Sequence, residues 1–381
     1  VRLRPGEREG LARFFAALGE AIAAAKAAGP ERRGGAVAEL ARTPSGAVLD
    51  GLIPDVTLRN LLGSMGSEPP WMSMLNLALM WDVMSGEGIW TPARGVHVLA
   101  DLLRDRFLAA GGELRLGAGV GRVLIRGGRA AGVVTAAGET VEAGAVVSDA
   151  DYKTTFLDLV DPAALAGVGG DGLEALRAAP YTGSELCVYL GVKPEAVDLS
   201  ALGSDHLFYR RAAGGGGEDG PGDFGRREIE ICFWSRKVPS LAPPGRAALV
   251  LRAAFPYADF AAWRTGDKKR GEGYAAAKAG LAAALVREAE TVLPGLSGAV
   301  EVMEEATPLT YRDWGGRYEG SVAGWAWEAG GTAAFADRVL VRTPVPGLLV
   351  AGAYASTELF LGGVPTALFT GSLAADLALT R

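Results

Sequence analysis

The chain of 381 residues has only two histidines, His97 and His206, and two cysteines, Cys187 and Cys232. Neither histidine has a second one at metal-ligand spacing and there is no CxxC pair, so zinc chemistry is not expected and no metal site is assigned. No GxSxG elbow precedes a helix, which removes the usual setting of a Ser-His-Asp hydrolase. His97 falls inside an expected helix and His206 at a strand edge, and both read as structural. The cysteines lie in strand-like apolar runs and fit buried thiols in a reducing compartment, with a disulfide between neighbouring strands as the less favoured alternative. A basic stripe is also missing. The net charge is −6, the pI is near 5.3, and Lys and Arg are scattered, so nucleic acid is not an expected partner. Nor is any uncharged run long and apolar enough to span a bilayer, because Pro, Gly and Thr interrupt the candidates. The sequence opens on Val1 without a signal peptide, which reads as a fragment or a processed chain. The expected location is cytoplasmic, with peripheral membrane contact through residues 69–84 left open.

What is present is apolar bulk, 49% of all residues, enough for a substantial core and two domains. Leu11, Phe14, Phe15, Leu18 and Ile22 recur at helical spacing over residues 6–29, with Gly29-Pro30 as the stop. Segments 52–63 and 69–85 read as helices, the second apolar nearly all round and therefore either buried or lining something greasy. Trp71, Met72, Met74, Met80, Trp81, Trp325 and Trp327 are candidates for such a wall, each also explained as plain core. After Trp90 comes a helix with Val96, Leu99, Leu103 and Phe107 on one side, then a meander of short strands joined by Gly-Gly and Ala-Gly-Glu turns. The meander ends in AGAVVSDAD, a continuous apolar run of the kind buried on both faces of a parallel sheet. Residues 185–192, 205–210, 228–234 and 247–255 read as strands, 270–293 as a long helix, and AVEVMEEA as one more strand.

The stretch LFLGGVPTALFTGSLAAD, residues 359–376, reads as a bare-backbone turn entering a helix. Gly362 and Gly363 permit close approaches that a Cβ would block, and Pro365 suits the first helical position. A helix N-terminus offers unpaired N–H groups and positive potential, so an electron-rich ligand would be stabilised there without a charged side chain. An ordinary strand, turn and terminal helix explains the composition equally well. Leu368, Gly371, Ala375 and Leu379 mark the face expected to pack on a sheet. A second glycine motif, GVGGDG at 167–172, has the spacing GxGxxG but follows DLVDPAALA instead of a buried strand, and it reads as a loop before a short helix.

Three stretches together resemble one family. WTPARGVHVLADLLRDRFLAAGGELRLGAGVGRVLIRGGRAAGVVTAAGETVEAGAVVSDAD resembles a middle flavin-domain segment of the phytoene desaturase family of FAD-dependent, amine-oxidase-fold oxidoreductases. TPLTYRDWGGRYEGSVAGWAW resembles its threonine-proline segment, and PVPGLLVAGAYASTELFLGGVPTALFTGSLAAD resembles its C-terminal flavin signature. SDADYKTTFLDLVDP and WSRKVPSLAPPG look nearer to the retinol saturase and carotenoid isomerase branch. The order of the pieces agrees over most of the chain. The family's opening strand, GxGxxG turn and helix have no counterpart in these residues, so the chain alone is expected to bind FAD weakly or not at all and to be inactive.

The resemblance implies an α/β (α+β) fold in which 88–151 and 335–381 form an incomplete Rossmann-like FAD-binding domain. Residues 1–87 and 152–334 would form a substrate domain with a mixed sheet and helices. It implies that Gly352 and Ala353 lie by the ribityl and pyrophosphate, and that Gly362, Gly363, Val364 and Pro365 pass under the pyrimidine edge of the flavin. Val120 would meet the adenine through its backbone, and Asp149 would end the returning strand beside the cofactor. Arg94 and Gly95 stand where the family has Gly-Gly. The implied reaction is hydride exchange between FAD and a polyene or isoprenoid lipid, seen as desaturation, saturation or isomerisation. Such chemistry asks little of side chains, and the catalytic residues are left unassigned, with Asp149 and Tyr318 noted as groups able to move a proton. The alternatives are a non-catalytic binding relic of the fold and a flavin amine oxidase.

Overall fold

The structure is a computed structural model that describes residues 5–28, 35–64, 69–88, 90–168, 170–211, 222–326, 339–357 and 363–380. The strands run in chain order as Val120–Arg126 (β1), Arg129–Thr135 (β2), Thr140–Glu142 (β3), Val146–Ser148 (β4), Ser184–Val192 (β5) and His206–Tyr209 (β6). They continue as Ile229–Cys232 (β7), Ala247–Phe255 (β8), Arg264–Gly266 (β9), Lys269–Arg270 (β10), Val300–Ala306 (β11) and Leu348–Val350 (β12). The mix of helices and sheets agrees with the expected α/β (α+β) class.

The largest sheet is antiparallel, in the order β11-β5-β8-β7-β6. Successive side chains on a strand point to opposite faces, so one face collects Leu186, Val188, Leu190, Ile229, Ile231, Leu249 and Leu251. These pack against Ala282, Leu285, Val286 and Ala289 of the helix Tyr274–Ala289, a little shorter than the expected 270–293. The opposite face carries Glu185, Cys187, Glu230, Cys232 and Arg252. Both cysteines are free and buried. β8 lies between the strands that hold them, and a neighbouring-strand disulfide is therefore not formed.

Two further features fix the surroundings of this sheet. Asp313, in the helix Pro308–Gly315, has no exposed side-chain surface and accepts from Arg264 Nε at 2.7 Å, Arg270 Nη1 at 2.5 Å and Lys268 N at 3.1 Å. It clasps the β9-β10 hairpin. The helix Arg8–Ala27 packs Phe14 and Leu18 against Leu77 and Ala78 of Met74–Asp82. Residues 72–79 are all buried, so the middle of the apolar segment offered above as a membrane contact or greasy wall is core, while Trp71 and Met84 toward its ends are exposed. No described helix is long and apolar enough to cross a membrane.

The remaining sheets are small. β1, β2 and β3 form the expected antiparallel meander, and β4 pairs with β12 in parallel, Val146 opposite Leu348 and Ser148 opposite Val350. Around this pair the sequence expectations and the structure part company. The helix His97–Ala109 forms, but none of its residues is buried, and Leu103 and Phe107 are about half exposed. Leu114 and Leu116, just beyond it, face solvent as well.

The C-terminal helix Gly363–Leu379 buries Thr366, Thr370 and Ala374, at spacing four, and leaves Leu368 and Leu379 in water. The packed stripe is thus not the one that hydrophobicity alone selected. GVGGDG is also helical over its second half, because a helix begins at Gly170, and what precedes it is helical rather than a strand.

Candidate functional site

β4 and β12 end side by side, and the chain leaves both at their carboxyl ends, where open parallel sheets place ligands. Ala351 N donates to Ser148 O at 2.8 Å, which carries the pairing one residue further. Asp149 follows β4 and Gly352 follows β12. Gly352 has φ 89° and ψ −175°, a backbone region reserved for glycine, and a Cβ there would stand 2.0 Å from Asp149 Oδ1. The bare backbone and the carboxyl therefore share one small space. Asp149 keeps a solvent-facing edge, yet the protein packed around its carboxyl withholds enough water to raise its pKa.

The C-terminal helix packs Ala374 into the same cluster as Val350 and Ala355, and Thr370 ties it to Gly352 by hydrogen bonds. Thr370 Oγ1 accepts from Gly352 N at 3.0 Å and is 2.8 Å from Thr366 O, to which it donates. Threonine at a buried helix position thus links the strand end to the helix wall. Thr370→Val keeps the shape and removes both bonds, leaving the Gly352 N–H buried without a partner. It is expected to cost about 1–3 kcal/mol, read as a lower urea midpoint at unchanged slope.

A polar and aromatic cluster closes the other side. Asp151, buried two residues beyond Asp149, accepts from Tyr181 Oη at 3.0 Å, Thr154 N at 3.2 Å and Tyr318 N at 3.1 Å. Burial raises its pKa, against the lowering effect of these bonds. Lys153 Nζ donates to Arg177 O at 2.9 Å and lies 4.7 Å and 4.6 Å from the ring centroids of Tyr181 and Tyr318, and burial lowers its pKa. Tyr181 packs edge-on to Trp325 at 4.6 Å, and Trp325 Nε1 donates to Tyr354 O at 3.0 Å. The end of β4, the strand segment around Trp325 and the turn after Gly352 are stitched together here.

Of the residues singled out in the sequence, Asp149 and Gly352 are brought into contact, and Ala353 opens the turn Ala353–Ala355 directly after them. Gly363, Val364 and Pro365 are the first three residues of the helix that holds Thr370, and all three are exposed. Pro365 is the third residue of the described helix, not the first, so among the described residues the first-turn N–H groups without an acceptor inside the helix are those of Gly363, Val364 and Thr366. Gly362 and Trp327 lie outside the described residues. Val120 belongs to a different sheet, opening β1 opposite Thr135. Tyr318 contributes its backbone N–H to Asp151 and its ring to Lys153. Sequence reading passed over Asp151, Lys153, Tyr181 and Thr370. The first two stand in SDADYK beside Asp149 and could have been flagged as charged residues following a buried strand; Tyr181 and Thr370 carry no local signal.

The flavin containing amine oxidoreductase family matches residues 9–379. The chain is similar to a zeta-carotene-forming phytoene desaturase of Myxococcus xanthus, 30% identical over 244 residues, which cover 61% of this chain and 42% of that protein. It is also similar to a hydroxyneurosporene desaturase of Rubrivivax gelatinosus, 37% identical over 94 residues, 24% of this chain and 18% of that protein. The matches span less than half the length of these relatives. Among solved structures, an oxidoreductase from Methanosarcina mazei superposes with TM-score 0.58 at 16% identity, over 92% of this chain and 71% of that one. A putrescine oxidase mutant redesigned for cofactor binding gives TM-score 0.58 at 16% identity over 97% and 75%. These two likenesses speak for the fold. With a match running over nearly all of its length, the chain belongs to the flavin containing amine oxidoreductase family.

Proposed function

We propose that this chain is the flavin-holding and substrate-holding part of an FAD-dependent oxidoreductase that acts on a polyene isoprenoid lipid. The observation that carries the reading is the shared space of Gly352 and Asp149 at the ends of a parallel strand pair, with Gly352 tied to Thr370 inside the helix that begins at Gly363. A flavin and its ribityl chain need a bare backbone to lie against and an acceptor for hydroxyls, which Gly352 and Asp149 supply, and the helix start at Gly363 offers N–H groups and positive potential from backbone alone. Asp149, Gly352, Ala353, Gly363, Val364 and Pro365 would hold FAD, with Gly362 next to them in sequence and Val120 toward the adenine. Ala353 offers no side-chain hydrogen bond. Bound FAD supplies the hydride exchange.

The chain's own residues orient and shield. N–H groups of Gly363, Val364 and Thr366 stabilise negative charge at the helix start. Tyr181, Trp325 and Tyr354 form an aromatic wall that excludes water beside the strand ends. We assign 88–151 and 335–381 to the flavin domain, and 1–87 and 152–334 to the substrate domain. Desaturases of carotenoid intermediates among the relatives favour a polyene over an amine. Loose membrane association follows from such a substrate and is part of the proposal. The test is to express the protein from its complete gene, read its flavin absorbance, and assay anaerobic conversion of phytoene and of a diamine with an added electron acceptor. A yellow protein that changes the polyene chromophore is expected. A colourless protein overturns the flavin reading, and turnover of the diamine alone overturns the substrate.

A further inference from the structure

The polar face of the large sheet holds a donor set that distance along the chain conceals. β6 and β7 are antiparallel with His206 directly opposite Cys232, and Glu230 is two residues before Cys232 on the same strand. Three side chains at positions i, i+2 and cross-strand from i+2 necessarily share one face with their Cβ atoms about 5–7 Å apart. Here the imidazole, carboxylate and thiol donor atoms all lie within 4.8 Å of one another. No two of the three sit at a recognised ligand spacing in sequence; the ladder alone assembles them.

The chemistry of the set is mixed nitrogen, oxygen and sulfur. His206 Nε2 and Glu230 Oε1 are in direct contact, and Glu230 Oε2 is held by Arg252 Nη1 at 2.6 Å. One carboxylate oxygen is thereby oriented by the guanidinium while the other points at the histidine. Cys232 is fully buried and free, whereas His206 is partly exposed, so the group is closed from beneath and open on one side. Phe208 and Trp234 flank the imidazole with ring centroids 4.9 Å and 6.5 Å away. An ordinary ion pair would need only His206, Glu230 and Arg252. The thiol beneath the pair has no part in that explanation.

We propose that His206, Glu230 and Cys232 bind one borderline-soft divalent cation of the zinc class, with water in the remaining position. On binding, the metal replaces the His206–Glu230 contact, and Cys232 releases its thiol proton to solvent as the metal–sulfur bond forms. No redox change is involved. The ion pins β6, an edge strand of four residues whose ladder partner among the described residues is β7, to the body of the sheet. Its effect is transmitted through Glu230 and Arg252 to Glu185 and Tyr311, which are joined at 2.6 Å and 2.7 Å.

The test is titration of the chelator-washed chain with Co²⁺ alone, followed by absorbance. One equivalent should bind with a thiolate-to-cobalt charge-transfer band and tetrahedral ligand-field bands, and Zn²⁺ should displace it. Cys232→Ser should abolish the charge-transfer band, and His206→Ala should weaken binding at least tenfold. Cys187→Ser removes the other buried thiol and should leave the titration unchanged, which separates ligand loss from damage to the sheet. A spectrum without the charge-transfer band, or uptake equal in wild type and Cys232→Ser, overturns the proposal.

Discussion

Gly352→Ala is expected to strip the flavin from the protein expressed from its complete gene. The backbone torsions at Gly352 fall where only glycine is at ease, so any Cβ costs about 1–3 kcal/mol before it touches a neighbour. Its nearest neighbour is the Asp149 carboxyl, 2.0 Å from the added atom, which must swing out of the space proposed for the cofactor. Strain and displacement act together. Each 1.4 kcal/mol lost from cofactor binding is about a tenfold weaker site, and retained flavin should fall by at least that factor. Gly371→Ala is the matched control: it lies inside the same terminal helix with nothing within 4 Å of its added methyl. That variant should stay yellow and gain up to about 1 kcal/mol of stability. The ratio of flavin to protein absorbance reads both. A yellow Gly352→Ala protein would remove Gly352 and Asp149 from the site.

Asp313→Ala is expected to be the most destabilising single change among the polar side chains described above. It leaves Arg264 and Arg270 without their shared carboxylate and the Lys268 N–H without its acceptor. Breaking a buried pair of this kind costs about 3–5 kcal/mol; both arginines keep some access to water, so the lower end applies. Burial alone would raise the pKa of Asp313, but the bonds from Arg264 and Arg270 and their charge outweigh it and hold the carboxyl below the usual range. The sign follows directly. The clasp is at full strength above the ordinary carboxylate pKa of about 4 and is lost as pH falls through the lowered value. The stability gap between wild type and Asp313→Ala, measured by urea unfolding, should therefore be wide at neutral pH and narrow in acid. A gap that does not change with pH would mean that the charge is not what holds the hairpin.

Elements with a strong apolar pattern were legible in the sequence, and the reason is physical. Residues 185–192 and 247–255 are near-continuous apolar runs of strand length, as the inner strands of a five-stranded sheet packed on a helix should be, and the structure returns Ser184–Val192 and Ala247–Phe255. AGAVVSDAD was readable as a parallel strand from its apolar run, but only Val146–Ser148 pair and Val147 is exposed, so the strand is covered on one face and not on both as expected. The terminal helix was misjudged on its packing face for the opposite reason. Apolar periodicity selects leucines, whereas close approach to a strand end selects small residues that also satisfy backbone groups, here Thr366, Thr370 and Ala374. Asp149 and Gly352 were placed by family resemblance, since 202 residues of chain separate two positions that now touch. Nothing local in the sequence encodes that meeting. The Asp151–Tyr181–Tyr318 cluster escaped notice for the same cause, its members drawn from three distant segments.

The helix His97–Ala109 has a further consequence. Leu102, Leu103, Phe107 and Leu108 stand in water, as do Leu114 and Leu116 a few residues on, and large apolar side chains exposed in this number on one short stretch favour association. At raised concentration the polypeptide of 381 residues should cling to itself through this side. Dilution, mild detergent or a complementary protein layer should disperse it, so its sedimentation behaviour reports directly on whether that side has been covered.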